Sequence, residues 1–207
     1  AWAQDISRDG RYVLMMTNRS RLTQRPTTLS TLYKLDVQTL QVETLVAEDG
    51  FLSGASFSPD GTQILLTGSP ECLGGIGLNL PEGLIPNQYD YQMYIMNLAD
   101  KKITPMTKDF NPSVQQTVWS KTDGQIYFTA ENRDYISLYR MNPVNGKIQQ
   151  LDAQEDLVKS ISMADNAPVM AYYGQGAMNS DRLYTLDTKK GKTALVEDLS
   201  KEILKDV

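Results

Sequence analysis

The stretch of residues 55–67, ASFSPDGTQILLT, places a Ser-Pro-Asp-Gly turn between two runs of strand-forming residues. An Asp-Gly pair favours a tight turn, because glycine accepts a positive φ at little steric cost. The run that follows the turn is apolar and rich in residues that suit a pleated sheet. The stretch therefore predicts a β-hairpin.

The same turn recurs along the chain. Serine precedes an Asp-Gly pair at residues 7–10, 58–61 and 120–124, and a weaker copy at 162–166 has asparagine in place of glycine. A β-rich run follows each turn. A second motif, a tyrosine strand that ends in Asp or Asn, follows at residues 32–36, 93–97, 138–142 and 183–187. Its tyrosines are 61, 45 and 45 positions apart, which indicates an internal repeat.

A third strand-like segment closes each copy, so each copy contains about four short strands. This period is typical of β-propeller blades and not of helical solenoids. We predict an all-β chain, a partial β-propeller of about four four-stranded antiparallel blades. The units are expected at about 1–52, 53–115, 116–159 and 160–207, in a single domain or fragment. The alternative is a β-sandwich with accidental similarity between its hairpins, which four copies of a two-motif pattern disfavour.

Composition excludes several classes of function. The net charge is -5 and the sequence contains no large cluster of Lys and Arg. We therefore predict no nucleic-acid partner. No apolar run approaches the roughly 20 residues of a membrane span. The chain has no histidine and one cysteine, Cys72, which excludes Ser-His-Asp and Cys-His catalysis within this polypeptide. We predict no catalytic residue, metal site or cofactor, and no enzymatic activity of this chain alone.

Residues 57–67, together with residues 94–97, resemble the WD40-like repeat of TolB-type propellers. They are similarly close to the N-terminal propeller of the prolyl oligopeptidase family of serine peptidases. The resemblance extends over essentially the whole chain, blade by blade. It implies a propeller that caps an α/β-hydrolase domain and helps to select substrates. The chain departs from that family because it lacks the hydrolase domain and has four blades where the family usually has seven or eight.

An insertion at residues 68–92 lengthens the second unit and contains apolar residues in a Gly/Pro-rich context. It resembles segments of dipeptidyl-peptidase and acylaminoacyl-peptidase-like members, particularly bacterial ones. We expect it to line a substrate pocket or to pack against the hydrolase domain. The alternative is a loop folded over the outer face of the blade. The adjacent Glu-Glu pair of the dipeptidyl-peptidase branch is absent.

Five residues are candidates for binding substrate. Glu71 and Glu82 carry carboxylates in the insertion that are available to a free amine, as the resemblance implies. Tyr89 and Tyr91 are a candidate recognition patch, with packing at a strand entry as the alternative. Glu131 is a candidate amine or cation ligand, with a polar hairpin turn as the alternative.

The resemblance implies two partners, the α/β-hydrolase domain of a parent protein and a peptide substrate. It also implies export to a bacterial periplasm, with the cytoplasm left open. Open blade edges predict a homodimer, with a small closed four-bladed ring as the alternative. A TolB-like module that binds a protein or peptide is the alternative function. A carbohydrate-active propeller is a third possibility, for which the sequence lacks clustered acidic residues or histidines.

Overall fold

Antiparallel β-strands make up nearly all of the secondary structure in the computed structural model, which describes residues 1–81, 83–199 and 201. The chain divides into a first unit, Ala1–Asn111, and a second unit, Pro112–Val207. The all-β, antiparallel class that the sequence predicts is confirmed. Among the described residues, no helix is long and apolar enough to cross a membrane.

The first unit contains two four-stranded antiparallel sheets, each with its strands in chain order. The strands of the first sheet are β1 (Trp2–Ile6), β2 (Tyr12–Ser20), β3 (Thr28–Asp36) and β4 (Val42–Asp49). Those of the second sheet are β5 (Leu52–Phe57), β6 (Gln63–Gly68), β7 (Gln92–Asn97) and β8 (Ile103–Pro105). One apolar cluster is shared by both sheets and includes Leu14, Leu32, Ile64 and Tyr94.

The second unit contains one eight-stranded sheet. Its strands are β9 (Ser113–Trp119), β10 (Ile126–Asn132), β11 (Tyr135–Met141), β12 (Ile148–Leu151), β13 (Leu157–Met163), β14 (Val169–Gln175), β15 (Arg182–Asp187) and β16 (Lys192–Asp198). Strands β9–β12 and β13–β16 pair antiparallel within each run, and the runs meet at one parallel pair, Ile136 and Leu157. The buried cluster of this unit includes the stacked rings of Tyr172 and Tyr184.

Side-chain hydrogen bonds explain the residues of the Ser-x-Asp-Gly turn. Ser58 Oγ donates to Asp60 Oδ1 at 2.6 Å and accepts the Gln63 N–H at 2.9 Å. Gly61 has a φ of 73°. Ser7 and Asp9 make the equivalent bond at 2.6 Å. The hydrogen bond from Ser58 lowers the pKa of Asp60. The recurrence of this motif is thus explained by turn geometry.

The Asp or Asn that ends each tyrosine strand also shapes a turn. In every copy the main-chain carbonyl of this Asp or Asn accepts a hydrogen bond from the N–H of the residue four positions later, at 2.8 to 2.9 Å. That fourth residue has a positive φ in all four copies, at Leu40 (60°), Lys101 (60°), Gly146 (69°) and Gly191 (65°). Two copies therefore hold a non-glycine residue in the left-handed region, where a Cβ is disfavoured.

Replacing Leu40 with glycine is expected to raise the free energy of unfolding by about 0.5–1 kcal/mol. Relief of the left-handed strain, about 1–2 kcal/mol, exceeds the entropic cost of glycine, about 0.5–1 kcal/mol. The Leu40 side chain is 74% exposed, so little packing is lost. Urea denaturation checks the sign. Leu40→Ala is the control and should give a smaller gain or none, because it keeps the Cβ.

The predicted insertion leaves the second sheet between β6 and β7. It begins with a single turn, α1 (Cys72–Gly75), in which Leu73 and Gly74 have positive φ. Gln92 Nε2 donates to the Gly77 carbonyl at 3.2 Å, so the early insertion is tied to β7. Leu84 and Ile85, by contrast, are largely exposed.

Candidate functional site

A groove of about 820 Å³ lies in the first unit, where three connections meet. One wall comes from residues 25–28 at the end of the β2–β3 loop. A second wall comes from residues 50–53, which form the β4–β5 connection and the start of β5. The insertion supplies the remainder, namely Ser69, Glu71, Gln88, Tyr89 and Tyr91.

Three of the five predicted site residues line this groove. The Glu71 carboxylate accepts a hydrogen bond from Gln88 Nε2 at 2.8 Å and is partly exposed. Tyr89 is 85% exposed and Tyr91 is 37% exposed. The Glu71–Gln88 hydrogen bond therefore joins the two ends of the insertion, and one carboxylate and two tyrosine rings line the same groove.

The other two predicted residues are not part of the groove. Glu82 lies outside the described residues. Glu131 is exposed on β10 of the second unit, where its Oε2 accepts a hydrogen bond from Gln115 Nε2 at 3.3 Å. Glu131 is thus a strand residue, and the turn that follows it is formed by Arg133 and Asp134.

Asp49 organises the second wall, although no pattern in the sequence indicates it. Its Oδ1 accepts the N–H groups of Phe51 at 2.7 Å and Leu52 at 2.9 Å. Its Oδ2 accepts the N–H of Leu73 at 2.6 Å. One carboxylate therefore ties this wall to the first turn of the insertion.

The first wall is held by a close approach between Pro26 and Gly50. A Cβ added at Gly50 would lie 2.0 Å from Pro26 Cγ, so only glycine allows this contact. The Arg21 guanidinium donates to the Pro26 carbonyl at 3.0 and 3.2 Å. Arg25, which precedes this proline, also lines the groove and contributes a positively charged side chain to it.

Buried polar groups surround Ser69, one of the residues that line the groove. The Tyr94 hydroxyl lies 2.9 Å from the Ser69 carbonyl and 3.1 Å from Gln92 Oε1. Burial raises the pKa of the Cys72 thiol to about 12 and also raises the pKa of Tyr94. Both groups therefore stay protonated near neutral pH, and the thiol is not an activated nucleophile.

A smaller cavity of about 290 Å³ lies in the second unit beside Glu155. The Glu155 side chain is only 2% exposed. It accepts hydrogen bonds from the Tyr184 hydroxyl at 2.6 Å and Asn179 Nδ2 at 3.1 Å, and Arg182 Nη1 lies 3.8 Å away. These contacts satisfy the carboxylate, so its role is structural. Within the described ranges, no group of three His, Cys, Asp or Glu side chains is placed to hold a metal ion.

Comparison with solved structures identifies the fold. TolB from Acinetobacter baumannii superimposes with a TM-score of 0.65 at 17% identity, over 94% of this chain and 42% of that one. The β-propeller domain of the Trilobed protease from Pyrococcus furiosus gives a TM-score of 0.67 at 17% identity, over 96% and 52%. The fold is that of a β-propeller.

The resemblance to TolB-type and peptidase propellers that the sequence predicts is thereby confirmed at the level of fold. An oligogalacturonate lyase in complex with manganese also matches, with a TM-score of 0.69 at 14% identity, over 94% of this chain and 52% of that one. A dipeptidyl peptidase 4 and an acylaminoacyl peptidase are among the other matches. Because these proteins differ in activity, the likeness identifies the fold alone.

The chain spans 42% to 52% of the length of the first three of these structures. No protein-family model matches the sequence, and no curated protein matches it.

Proposed function

We propose that this chain is the non-catalytic propeller portion of a serine exopeptidase of the dipeptidyl or acylaminoacyl type. In this role it gates and helps to select peptide substrates for a hydrolase domain that lies outside this chain. The groove of the first unit carries the proposal, because Glu71, Tyr89 and Tyr91 all line one space of about 820 Å³. A volume of this size suits a short peptide.

The chemistry of the groove suits a peptide with a free amino terminus. A carboxylate pairs with an ammonium group through a charge-assisted hydrogen bond. The aromatic rings and the apolar wall of Phe51 and Leu52 offer contacts to side chains. Arg25 offers a cation to a carbonyl or carboxylate of the same ligand. The fold that this chain shares with a protease propeller domain supports the same proposal.

The finer assignments made from the sequence belong to this proposal. They are four blades with the unit boundaries given above, an insertion at 68–92, export to a bacterial periplasm, and pairing of a second copy through open strand edges. The alternative function is a TolB-like module that holds a protein or peptide partner, which the shared fold with TolB supports. Hydrolysis of dipeptide substrates by the full gene product separates the two functions, because only the peptidase proposal expects it.

The groove is tested by titrating the purified chain with the tripeptide Ala-Ala-Ala in a calorimeter. Glu71→Gln is expected to weaken binding by about tenfold or more, because a hydrogen bond to a charged group is worth about 1.5–3 kcal/mol. Glu131→Gln, the same change in the second unit, is the control and should leave the affinity unchanged. Equal affinities of wild type and Glu71→Gln would count against the proposal, as would hydrolysis of chromogenic dipeptide substrates by this chain alone.

A further inference from the structure

Glu71 lies at the middle of a short segment that begins at Ser69 and ends at Leu73. Both ends of this segment are bonded to the second wall of the groove or to the residue that precedes it. The Ser69 N–H donates to the Phe51 carbonyl at 3.1 Å. The Leu73 N–H donates to Asp49 Oδ2 at 2.6 Å. The main chain on either side of Glu71 is therefore fixed relative to this wall.

The Leu73 end of the segment has a left-handed main chain. Its φ is 58° and its ψ is 39°, a conformation in which the Cβ of an L-residue crowds the following carbonyl. A residue keeps such a conformation only where the surrounding structure offsets its cost. The bond to the Asp49 carboxylate provides such an offset, because hydrogen bonds to a charged acceptor are about twice as strong as neutral ones. Loss of this bond would release the Leu73 main chain, and Glu71 with it.

The same carboxylate also fixes the wall. Asp49 Oδ1 accepts the N–H groups of Phe51 and Leu52, and these two residues line the groove. The two oxygens of one side chain thus join the wall to the segment that carries Glu71. Among the described residues, Asp49 is not one that lines the groove. Its effect on a ligand is therefore indirect and passes through the groups that it holds.

We propose that Asp49 is a positioning residue of the groove, which holds the Glu71 carboxylate where it pairs with the amino terminus of a peptide. The inference rests on the proposed function for the identity of the ligand. Glu71 supplies the negative charge, and Asp49 sets the position of that charge relative to the apolar wall of Phe51 and Leu52. A group that is held in place before the ligand arrives costs less conformational entropy on binding. Selectivity for a free amine then depends on Asp49 as well as on Glu71.

Asp49→Asn breaks this link with little change in shape. Asparagine has one acceptor oxygen in place of two, so either Leu73 or the wall loses its acceptor. Calorimetry measures the ratio of the affinities for Ala-Ala-Ala and for its N-acetylated form. The ratio is expected to fall from about tenfold in the wild type to about twofold in Asp49→Asn, because the charged hydrogen bond to the amine is lost. A ratio that stays near its wild-type value would overturn the inference and leave the proposed function intact.

Asp60→Asn is the matched control. Asp60 also accepts a main-chain N–H, that of Thr62 at 3.1 Å, but it lies in the β5–β6 turn and not in the groove. Asp60→Asn is expected to keep the wild-type ratio even where it lowers stability. A fall in this variant equal to that in Asp49→Asn would overturn the inference, because the ratio would then follow general loosening. A wild type that binds both peptides equally would overturn the proposed function, and the inference with it.

Hydrogen exchange tests the wild type directly, so it does not depend on how well Asp49→Asn folds. Without ligand, the Leu73 amide is expected to exchange at least about tenfold more slowly than in an unstructured peptide. Exchange at the unstructured rate would overturn the inference, because the segment would not be held before binding. In the Asp49→Asn background, Glu71→Gln is expected to weaken Ala-Ala-Ala binding by no more than about twofold, against about tenfold in the wild type. Additive losses from the two changes would overturn the inference.

Discussion

Replacing Glu155 with alanine is expected to lower the free energy of unfolding by about 2–4 kcal/mol. The change removes a buried carboxylate and leaves the Tyr184 hydroxyl and the Asn179 amide without their shared acceptor. Loss of one member of a buried charged network is among the largest single-residue effects. Arg182 contributes less, because it is one-third exposed and 3.8 Å away. Urea denaturation followed by Trp119 fluorescence, in a Trp2→Phe background, measures unfolding in the second unit.

Glu131→Ala is the matched control for Glu155→Ala. It deletes the same type of side chain from an exposed position, on β10 of the same unit. Its expected effect is within about 0.5 kcal/mol, as for most surface substitutions. Similar losses from the two variants would contradict the assignment of Glu155 as the organising carboxylate of this region.

Replacing Gly50 with alanine is expected to cost about 1–3 kcal/mol and to impair ligand binding by the groove. The new Cβ would lie 2.0 Å from Pro26 Cγ and 2.6 Å from Pro26 Cβ, so the proline loop has to move. That movement displaces Arg25 and the first wall of the groove. Thermal unfolding and Ala-Ala-Ala titration report the two consequences.

Pro26→Gly tests whether the cause is this one contact. In the Gly50→Ala background it removes the three proline ring atoms that the new Cβ meets. The double variant should therefore recover part of the lost stability relative to the sum of the two single effects. Additive losses would show that Gly50 is needed for a reason other than the approach of Pro26.

The fold was predictable because its signals are local. The Ser-x-Asp-Gly turn at residues 58–61 and the Asx-ended tyrosine strand recur at regular distances, and their hydrogen bonds form within a few residues of the motif. The left-handed backbone at Leu40 and Lys101 was not predictable, because neither residue type favours a positive φ. Gly146 and Gly191 stand at the same position of the other two copies. Aligned with Leu40 and Lys101, these glycines indicate a positive φ at that position.

The candidate site was predictable in part. Glu71, Tyr89 and Tyr91 were singled out because the insertion interrupts the repeat. Arg25 and Gly50 were not, since they reach the groove through contacts between segments about 25 residues apart in the chain. Asp49 was missed as well, because its bond to Leu73 joins residues 24 positions apart and no sequence pattern marks it.

The proposed function requires that the groove of the first unit bind the free amino terminus of a peptide. The most direct test maps amide chemical shifts while the chain is titrated with Ala-Ala-Ala and, separately, with its N-acetylated form. We expect shifts concentrated at residues 25–28, 50–53, 69–71 and 88–91, and we expect the acetylated peptide to bind about tenfold more weakly. Equal binding of the two peptides, or shifts concentrated at residues outside these segments, would contradict it.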